Sequence, residues 1–327
     1  MNPEVSVIIP AYNTSAYISR TIESALGQTL KNIEIIVVDD ASTDNTLEVA
    51  RSFVDQRLKI FVNHQNQGAG GTRNRALKEA KGKWIAVLDS DDWYAPERLE
   101  KLLQVAYSEK ADMVADDLFL IRDGEDYPWS TLIKQSGELI EKIKQIDPVY
   151  FVETDVYGQK GLHLGISKPL FRRNFLMQQN IKYDASIKVS QYFWLVLKCL
   201  VKGSRFFLVP EPYYFYRSRP GSLVYSSKIN RFEQDCQATV AFLEQEIDVT
   251  ERTQLADALS NNLTVFKRNL AYYRVVEPLK QQKWLAGLIA MTYNPNFFLN
   301  FGIRIPGILQ RRVQRYMYGK KTTYDIF

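Results

Sequence analysis

Trp84-Ile85-Ala86-Val87-Leu88-Asp89-Ser90-Asp91-Asp92 joins an apolar, strand-forming run to three carboxylates within four positions. Acids this close repel one another, and a fold that sets them at the end of a buried strand usually needs a cation to offset that repulsion. Hard carboxylate oxygens suit Mg²⁺ or Mn²⁺, ions usually shared with substrate phosphates. Taken alone, the run also reads as a solvated acidic turn leading into the next helix.

Upstream segments set this run in context. Val5-Ser6-Val7-Ile8-Ile9-Pro10 is of strand type, with Pro10 expected to end it and Ala11-Tyr12-Asn13 to turn. Ile18, Ile22, Ala25 and Leu26 follow at helical spacing. Ile33 to Val38 predicts a second strand ending in Asp39-Asp40, and Thr43 or Asp44 then caps a helix. Leu58 to Val62 predicts a third strand, followed by a polar loop from Asn63 to Gly71 and a helix over Thr72 to Ala80. Strand and helix alternating at this spacing predict an α/β domain with a mainly parallel sheet. Ligands in such sheets bind beyond the carboxyl ends of the strands. Tyr12-Asn13, Asp39-Asp40, Asn66 to Gly68 and Asp89 to Asp91 all fall at those ends.

These pieces, in this order, closely resemble the nucleotide-binding half of the inverting family 2 glycosyltransferases. Those enzymes have the GT-A fold. The matching stretches are Val5 to Asn13, Val37 to Asp44, Asn66-Gln67-Gly68 with Thr72-Arg73-Asn74, and Leu88 to Asp92. The resemblance weakens after about residue 125 and is faint beyond about residue 230.

The resemblance implies a transferase that moves a sugar from a nucleoside diphosphate donor, a UDP-sugar above all, to a hydroxyl acceptor with inversion. Pro10, Ala11, Tyr12 and Asn13 would wall the nucleotide pocket, and Asp40 would accept from a base N–H. Gly68, Gly70 and Gly71 would let the backbone approach the ligand, with Asn66 among the nucleotide-binding residues, and Arg73 would offer its fork of donors to base or phosphate. Asp89, with Ser90 beside it, would face the ribose. Asp91, with Asp89, would hold the Mg²⁺ or Mn²⁺ that neutralises the departing diphosphate. Asp92 would be structural. A flexible turn for the glycines and a surface charge for Arg73 are the plainer alternatives.

Further along, Gly161 to Arg173 resembles the segment under the acceptor site. His163 and Lys168 are its candidate acceptor-binding residues, against a packed histidine and a solvated basic face. Tyr213 to Ser222 resembles an aromatic strand leading into a loop over the nucleotide, so Arg217 and Arg219 would meet the diphosphate. Their alternative is an edge strand with outward charges.

One departure from the family concerns catalysis. Inverting members carry a carboxylate at the start of the helix holding an aromatic pair like Phe193-Trp194, and it acts as general base. Here Ser190 to Trp194 contain no acid, and Tyr192 stands about where it is expected. A neutral tyrosine is a poor base near pH 7. Asp184 is the first candidate to replace it, with Asp155 and Glu153 behind. The alternative is a nucleotide-sugar-binding protein without turnover, kept as a partner in an assembly. A nucleotidyltransferase would need a glycine-rich basic loop after the first strand, which Pro10-Ala11-Tyr12-Asn13 is not.

Composition bounds the rest. The 327 residues divide into a nucleotide-sugar-binding half (1–125), an acceptor half of the same domain (126–228) and a helical, basic and aromatic-rich region (229–327). Two cysteines, Cys199 and Cys236, fit a reducing compartment rather than a disulfide framework. Met1-Asn2-Pro3-Glu4 leads straight into the first strand and no apolar run is long enough to span a bilayer, so a cytoplasmic protein without leader or anchor is expected. The net charge of +5 is concentrated late, in Lys267-Arg268, Arg274, Lys280, Lys283, Arg304, Arg311-Arg312, Arg315 and Lys320-Lys321. Aromatic and branched residues interleave with these charges, a pattern suited to an anionic membrane surface and to a peripheral position on its inner face. A helical appendage packing its aromatics inward is the alternative. No nucleic-acid module is recognisable, so a nucleic acid partner is not expected. A glycan or lipid-linked acceptor is.

Overall fold

The β-branched runs near the N-terminus form β1 (Val5–Ala11) and β2 (Ile33–Asp39), buried at every position. Such continuous burial needs cover on both faces. The structure is a computed structural model that describes residues 2–219, 227–247, 253–295, 297–298 and 301–302. The connections in this half are α1 (Ile18–Leu26), α2 (Thr46–Arg51) and α3 (Gly68–Glu79), with β3 (Leu58–Val62) and β4 (Trp84–Val87) completing a parallel group ordered β3-β2-β1-β4. Ile8 pairs with Ile36 on one side and Val87 on the other. Pro10 does not end β1 as expected. The β1–β4 ladder stops at Ile8–Val87, so the N–H that Pro10 lacks falls where no partner strand runs.

The glycine run Gly68 to Gly71 is helical, not the expected loop. Tertiary contacts override glycine's poor helix propensity here. The Asp40 carboxylate accepts from the Gln67 and Gly68 N–H groups (both 2.9 Å), satisfying two donors at the start of α3. A Cβ on Gly70 would lie 3.2 Å from the Asp184 carbonyl oxygen and 3.3 Å from the Ala185 Cα, so the close approach of that segment needs glycine.

The chain continues through β5 (Trp93–Tyr94), α4 (Arg98–Ser108), β6 (Met113–Arg122), β7 (Ser130–Thr131), α5 (Leu132–Ser136), β8 (Lys144–Ile146) and α6 (Pro148–Glu153). A 3₁₀ turn at Leu164–Ile166, then β9 (Leu170–Arg172), α7 (Arg173–Gln178), α8 (Gln191–Val201) and β10 (Phe206–Ser218) follow. The sheet extends past β4 in the order β9-β6-β10-β5. β9 runs antiparallel to both β4 and β6, and β10 runs parallel to β6. The carboxyl ends of β4, β6 and β10 therefore share one rim with those of β1 to β3. The aromatic strand expected after Pro210 is the second half of β10, whose register against β6 shifts around Pro212. Pro210 and Pro212 each lack an N–H, so a bulge there is the least disruptive way through.

The chain divides into two compact units, Met1–Asp155 with Lys160–Arg219, and Val156–Gln159 with the chain from Pro220 on. The second unit holds α9 (Lys228–Glu246), α10 (Gln254–Lys280) and α11 (Trp284–Tyr293). Ser227 and Thr253 cap α9 and α10 by accepting from the Asn230 and Ala256 N–H groups. α9 and α10 pack through Phe232 stacked on Tyr273 (5.7 Å). Cys199 and Cys236 are free thiols. No helix among the described residues is long and apolar enough to cross a membrane.

Candidate functional site

Order along the sheet reverses between β1 and β4, and at such switch points the loops leaving the strand ends splay apart to make a crevice. The loops after β1 and β2 are stitched together there. Asn13, at φ +50°, accepts at Oδ1 from the Thr43 N–H (2.8 Å) and donates its own N–H to Ser42 Oγ (3.0 Å). The Thr14 N–H donates to Thr46 Oγ1 (2.7 Å). Pro10 and Ala11 are buried beneath this seam, and Tyr12 is 46% exposed, its ring available at the rim. Asp44 does not cap α2 as the N-cap residue, which is Asn45, but its carboxylate accepts from both the Ser15 and Thr46 N–H groups. These bonds outweigh burial and lower its pKa to about 2.

Asp40 is buried and heavily engaged. Its Oδ1 accepts from Asn63 Nδ2 (2.6 Å) as well as from Gln67, and its Oδ2 accepts from Gly68. Exposed Asn66 reinforces the turn by accepting from the Gly68 N–H (3.1 Å), with Gly68 at φ +74°. Asp40 thus shapes the loop before α3 in the position the sequence assigned to a base reader.

Asp89 is the hub of the acid run. Arg73 Nη2 lies 2.7 Å from its Oδ1, Tyr192 Oη donates to the same oxygen at 2.7 Å, and Lys168 Nζ lies 3.5 Å from its Oδ2. Arg73 reaches back to Gln191 Oε1 (2.6 Å), and its guanidinium lies over the Tyr192 ring at 4.5 Å. Burial would push the Asp89 carboxyl up, but Arg73 and Lys168 override it and hold the group below the usual carboxylate range. Burial lowers Lys168, opposed by Asp89 and Asp92. Burial raises the Tyr192 phenol far above its ordinary value, so Tyr192 serves as a donor to Asp89 and not as a base.

Lys168 corrects an expectation. It is 2% exposed, donates to the Ile166 carbonyl (2.7 Å) and faces Asp89, so it belongs to the acid cluster and not to a solvated or acceptor-facing surface. Its backbone is anchored by Arg98, which donates to the Lys168 carbonyl (2.7 Å) while forming a fully buried pair with Asp116 (2.7 Å).

Asp92 is structural, accepting from Tyr214 Oη (2.7 Å) and the Arg217 N–H (2.8 Å). Burial, then Asp91 and Asp89, push its carboxyl well up. Buried Ser90 contributes its carbonyl to Thr21 Oγ1 (3.0 Å). Arg217 and Arg219, at the end of β10, turn onto the acids. Arg219 Nε donates to Asp91 Oδ2 (2.6 Å), and Arg217 Nε donates to the Asp91 carbonyl (3.1 Å) with Nη1 3.4 Å from Asp123. They are therefore not outward charges of an edge strand. The compensating cations for the three acids are supplied by the protein itself.

The metal-holding role can be weighed against this donor set. Among the described residues no group of three or more His, Cys, Asp or Glu side chains could cage an ion. Asp89 is already engaged by two cations and Asp92 is sealed inside, so Asp91 leads. One carboxylate is enough where phosphates complete the shell, as Mg²⁺ and Mn²⁺ sites often allow. The residues fit a divalent ion on that condition, with Asp91 exchanging Arg219 for the ion.

The residues expected on the acceptor side are more dispersed. His163, buried and at φ +47°, sets Nδ1 3.2 Å from Asp155 Oδ1, while Asp155 Oδ2 accepts from the Gly165 N–H (2.6 Å). Asp184 is exposed, and its Oδ1 accepts from the Ser186 N–H (2.9 Å) and Oγ (2.6 Å), the pattern of a turn residue bonded to its own loop. Its backbone nonetheless lies against Gly70, beside Gln191. Gln191, Tyr183 and Tyr214 complete the cluster and escaped the sequence reading. The one signal was a polar Gln191 opening a mostly apolar helix.

Residues 6–197, more than half of the chain, match the family described as glycosyl transferase family 2. The succinoglycan biosynthesis protein ExoO of Rhizobium meliloti is 29% identical over 97% of this chain and 89% of its own length. The Escherichia coli protein WfaP, named a UDP-Glc:alpha-D-GlcNAc-diphosphoundecaprenol beta-1,3-glucosyltransferase, is 43% identical over 36% of this chain and 47% of its own. Among solved structures, S. aureus TarS 1-349 superposes with a TM-score of 0.66 at 20% identity, covering 99% of this chain and 94% of that one. The mannosyltransferase PcManGT of Pyrobaculum calidifontis, solved with GDP-Man and Mn2+, superposes at 0.58 and 16% identity over 98% of this chain and 89% of its own. The fold is of the GT-A type.

Proposed function

The chain belongs to glycosyl transferase family 2, is a glycosyltransferase, and, we propose, moves a sugar from UDP to a hydroxyl of a growing or lipid-linked surface glycan with inversion. The observation that carries this reading is Asp89, kept ionised by Arg73 and Lys168 at the point where the strand order reverses. A charged, hydrogen-bonded acid there is pre-set to receive ribose hydroxyls, with the Tyr12 ring beside the base. ExoO's role in succinoglycan biosynthesis and WfaP's lipid-linked acceptor support the acceptor class. We place the enzyme peripherally on the cytoplasmic face of the membrane, where such an acceptor is presented.

In the reaction the acceptor oxygen attacks the anomeric carbon as the bond to the diphosphate oxygen breaks. The acceptor proton passes to a base. Arg217 and Arg219 stand where the departing diphosphate gathers charge, and Asp91 would hold Mn²⁺ or Mg²⁺, which supplies electrostatic neutralisation of that charge. Incubation with a panel of UDP-, GDP- and CDP-sugars tests the reading. Release of UDP alone, with an inverted anomeric product, is expected. Release from GDP-sugars in preference would refute the donor class.

Asp91→Ala is expected to remove the Mn²⁺ dependence of UDP binding. Calorimetry on wild type and variant, each with Mn²⁺ or chelator, checks it. Equal UDP affinity in all four titrations would exclude the metal role.

For the base, Asp184 remains our assignment, reached by release of its carboxylate from Ser186. Asp184→Asn is expected to lower kcat at least about 100-fold with UDP affinity unchanged. Tyr192→Asp should gain nothing, because it places a second acid against Asp89 and removes a donor. A rise in turnover in Tyr192→Asp would show instead that Tyr192 occupies the place of a missing base.

A further inference from the structure

α11 is a ten-residue helix without a charged side chain, and it is apolar on two sides. One side packs on α10. A Cβ on Gly287 would lie 2.3 Å from Leu279 Cδ2, so the two helices meet closely, and Ala290 and Met291 pack with Leu279 on the core of Tyr272, Val275 and Phe297. The other side carries Trp284, Leu285, Leu288, Ile289 and Tyr293, between 51% and 81% exposed, with Phe298 (62%) just beyond. A helix apolar all round is ordinarily buried, and half of this one is not. It is also too short to cross a bilayer.

Charge decides among occupants of this face. From Lys280 to Lys321 the sequence contains no Asp or Glu, while Lys280, Lys283, Arg304, Arg311, Arg312, Arg315, Lys320 and Lys321 fall in it. Lys280, which ends α10, and Lys283, the N-cap of α11, are exposed. A symmetric pairing of two copies through this face would place Lys280 and Lys283 on both sides of the interface, with no acid of this stretch to pair them. Anionic lipid headgroups complement the charges, and the acyl boundary takes up Trp, Tyr and branched side chains.

We propose that the exposed face of α11 is the surface by which the chain lies on an anionic membrane, with Trp284, Leu285, Leu288 and Ile289 entering the headgroup boundary. The inference deepens the membrane placement given above and rests on it. Nothing in it requires the sugar donor.

Flotation of the full chain with vesicles of phosphatidylcholine, with and without phosphatidylglycerol, tests it. Wild type is expected to float with the anionic vesicles at low salt and to be released as salt screens the lysines. Leu285→Glu combined with Ile289→Glu should lower the bound fraction at least about tenfold. These positions are exposed, so melting temperature and UDP affinity should stay as in wild type, which separates this result from a folding or active-site defect. Equal flotation of wild type and the double variant would overturn the assignment to α11. Failure of wild type to float at all would overturn the membrane placement itself, leaving UDP binding as the independent readout of the enzyme. A wild-type dimer in solution that the double variant dissociates, without flotation, would give the face to a second copy and overturn the proposal.

Discussion

Asp89→Ala is expected to abolish measurable UDP binding and to lower folding stability by about 3–5 kcal/mol. The size follows from what the carboxylate holds. Arg73 and Lys168 are 6% and 2% exposed, and Asp89 is the acid they share. Its removal leaves buried Arg73 without the carboxylate it is paired with, takes from buried Lys168 the nearer of its two acids, and strands the Tyr192 hydroxyl that donates to it. Breaking a buried pair costs far more than the intact pair contributes, because the desolvated partner remains. Asp89→Asn isolates the charge, since it keeps the volume and one acceptor. Denaturant unfolding should order the proteins wild type, Asn, Ala. An alanine variant as stable as wild type would show that the cluster relaxes to water and that Asp89 is no hub.

Asp40→Ala is expected to cost about 2–4 kcal/mol of stability and to weaken uridine nucleotide binding more than tenfold. The carboxylate accepts from Asn63 and from the N–H groups that open α3. Without it the glycine-rich first turn of α3 loses its cap and the loop before it loses its shape, so Arg73, later on the same helix, loses its fixed position. If Asp40 also reads the base, the variant will rank UDP, GDP and CDP differently from wild type. Unchanged ranking with reduced affinity would leave it as a loop clasp only. Unchanged affinity and stability would contradict both roles.

The two variants bear on how much of the molecule its sequence discloses. The β1, β2 and β4 runs declare themselves because strands buried on both faces read as near-continuous apolar runs. The acid run is visible for the same reason, coming directly after such a strand. What surrounds it is not. Arg219 reaches Asp91 only because β9 enters the sheet antiparallel and lets β6 and β10 run parallel beyond it, a pairing among segments far apart in sequence. The acids therefore pointed to a divalent ion, and nothing local in the sequence disclosed that Arg73, Lys168 and Arg219 also bring positive charge to them. The start of α3 was misplaced because local propensity counts four residues of Gly-Ala-Gly-Gly as loop, whereas a carboxylate from another strand end satisfies that helix's first donors. Lys168 read as an acceptor-binding residue or a solvated charge because its burial goes with the Arg98–Asp116 pair beneath its backbone, which the local sequence does not disclose. The basic groups from Arg304 onward lie outside the described residues, and their part in the expected membrane contact rests on composition.

Titration calorimetry of the full chain with UDP, GDP and CDP in the presence of Mn²⁺ tests the central claim most directly. The account predicts that UDP binds at least about tenfold more tightly than either competitor and that Asp89→Asn binds none of the three measurably. Equal affinity for all three, or UDP binding retained in Asp89→Asn, would contradict it.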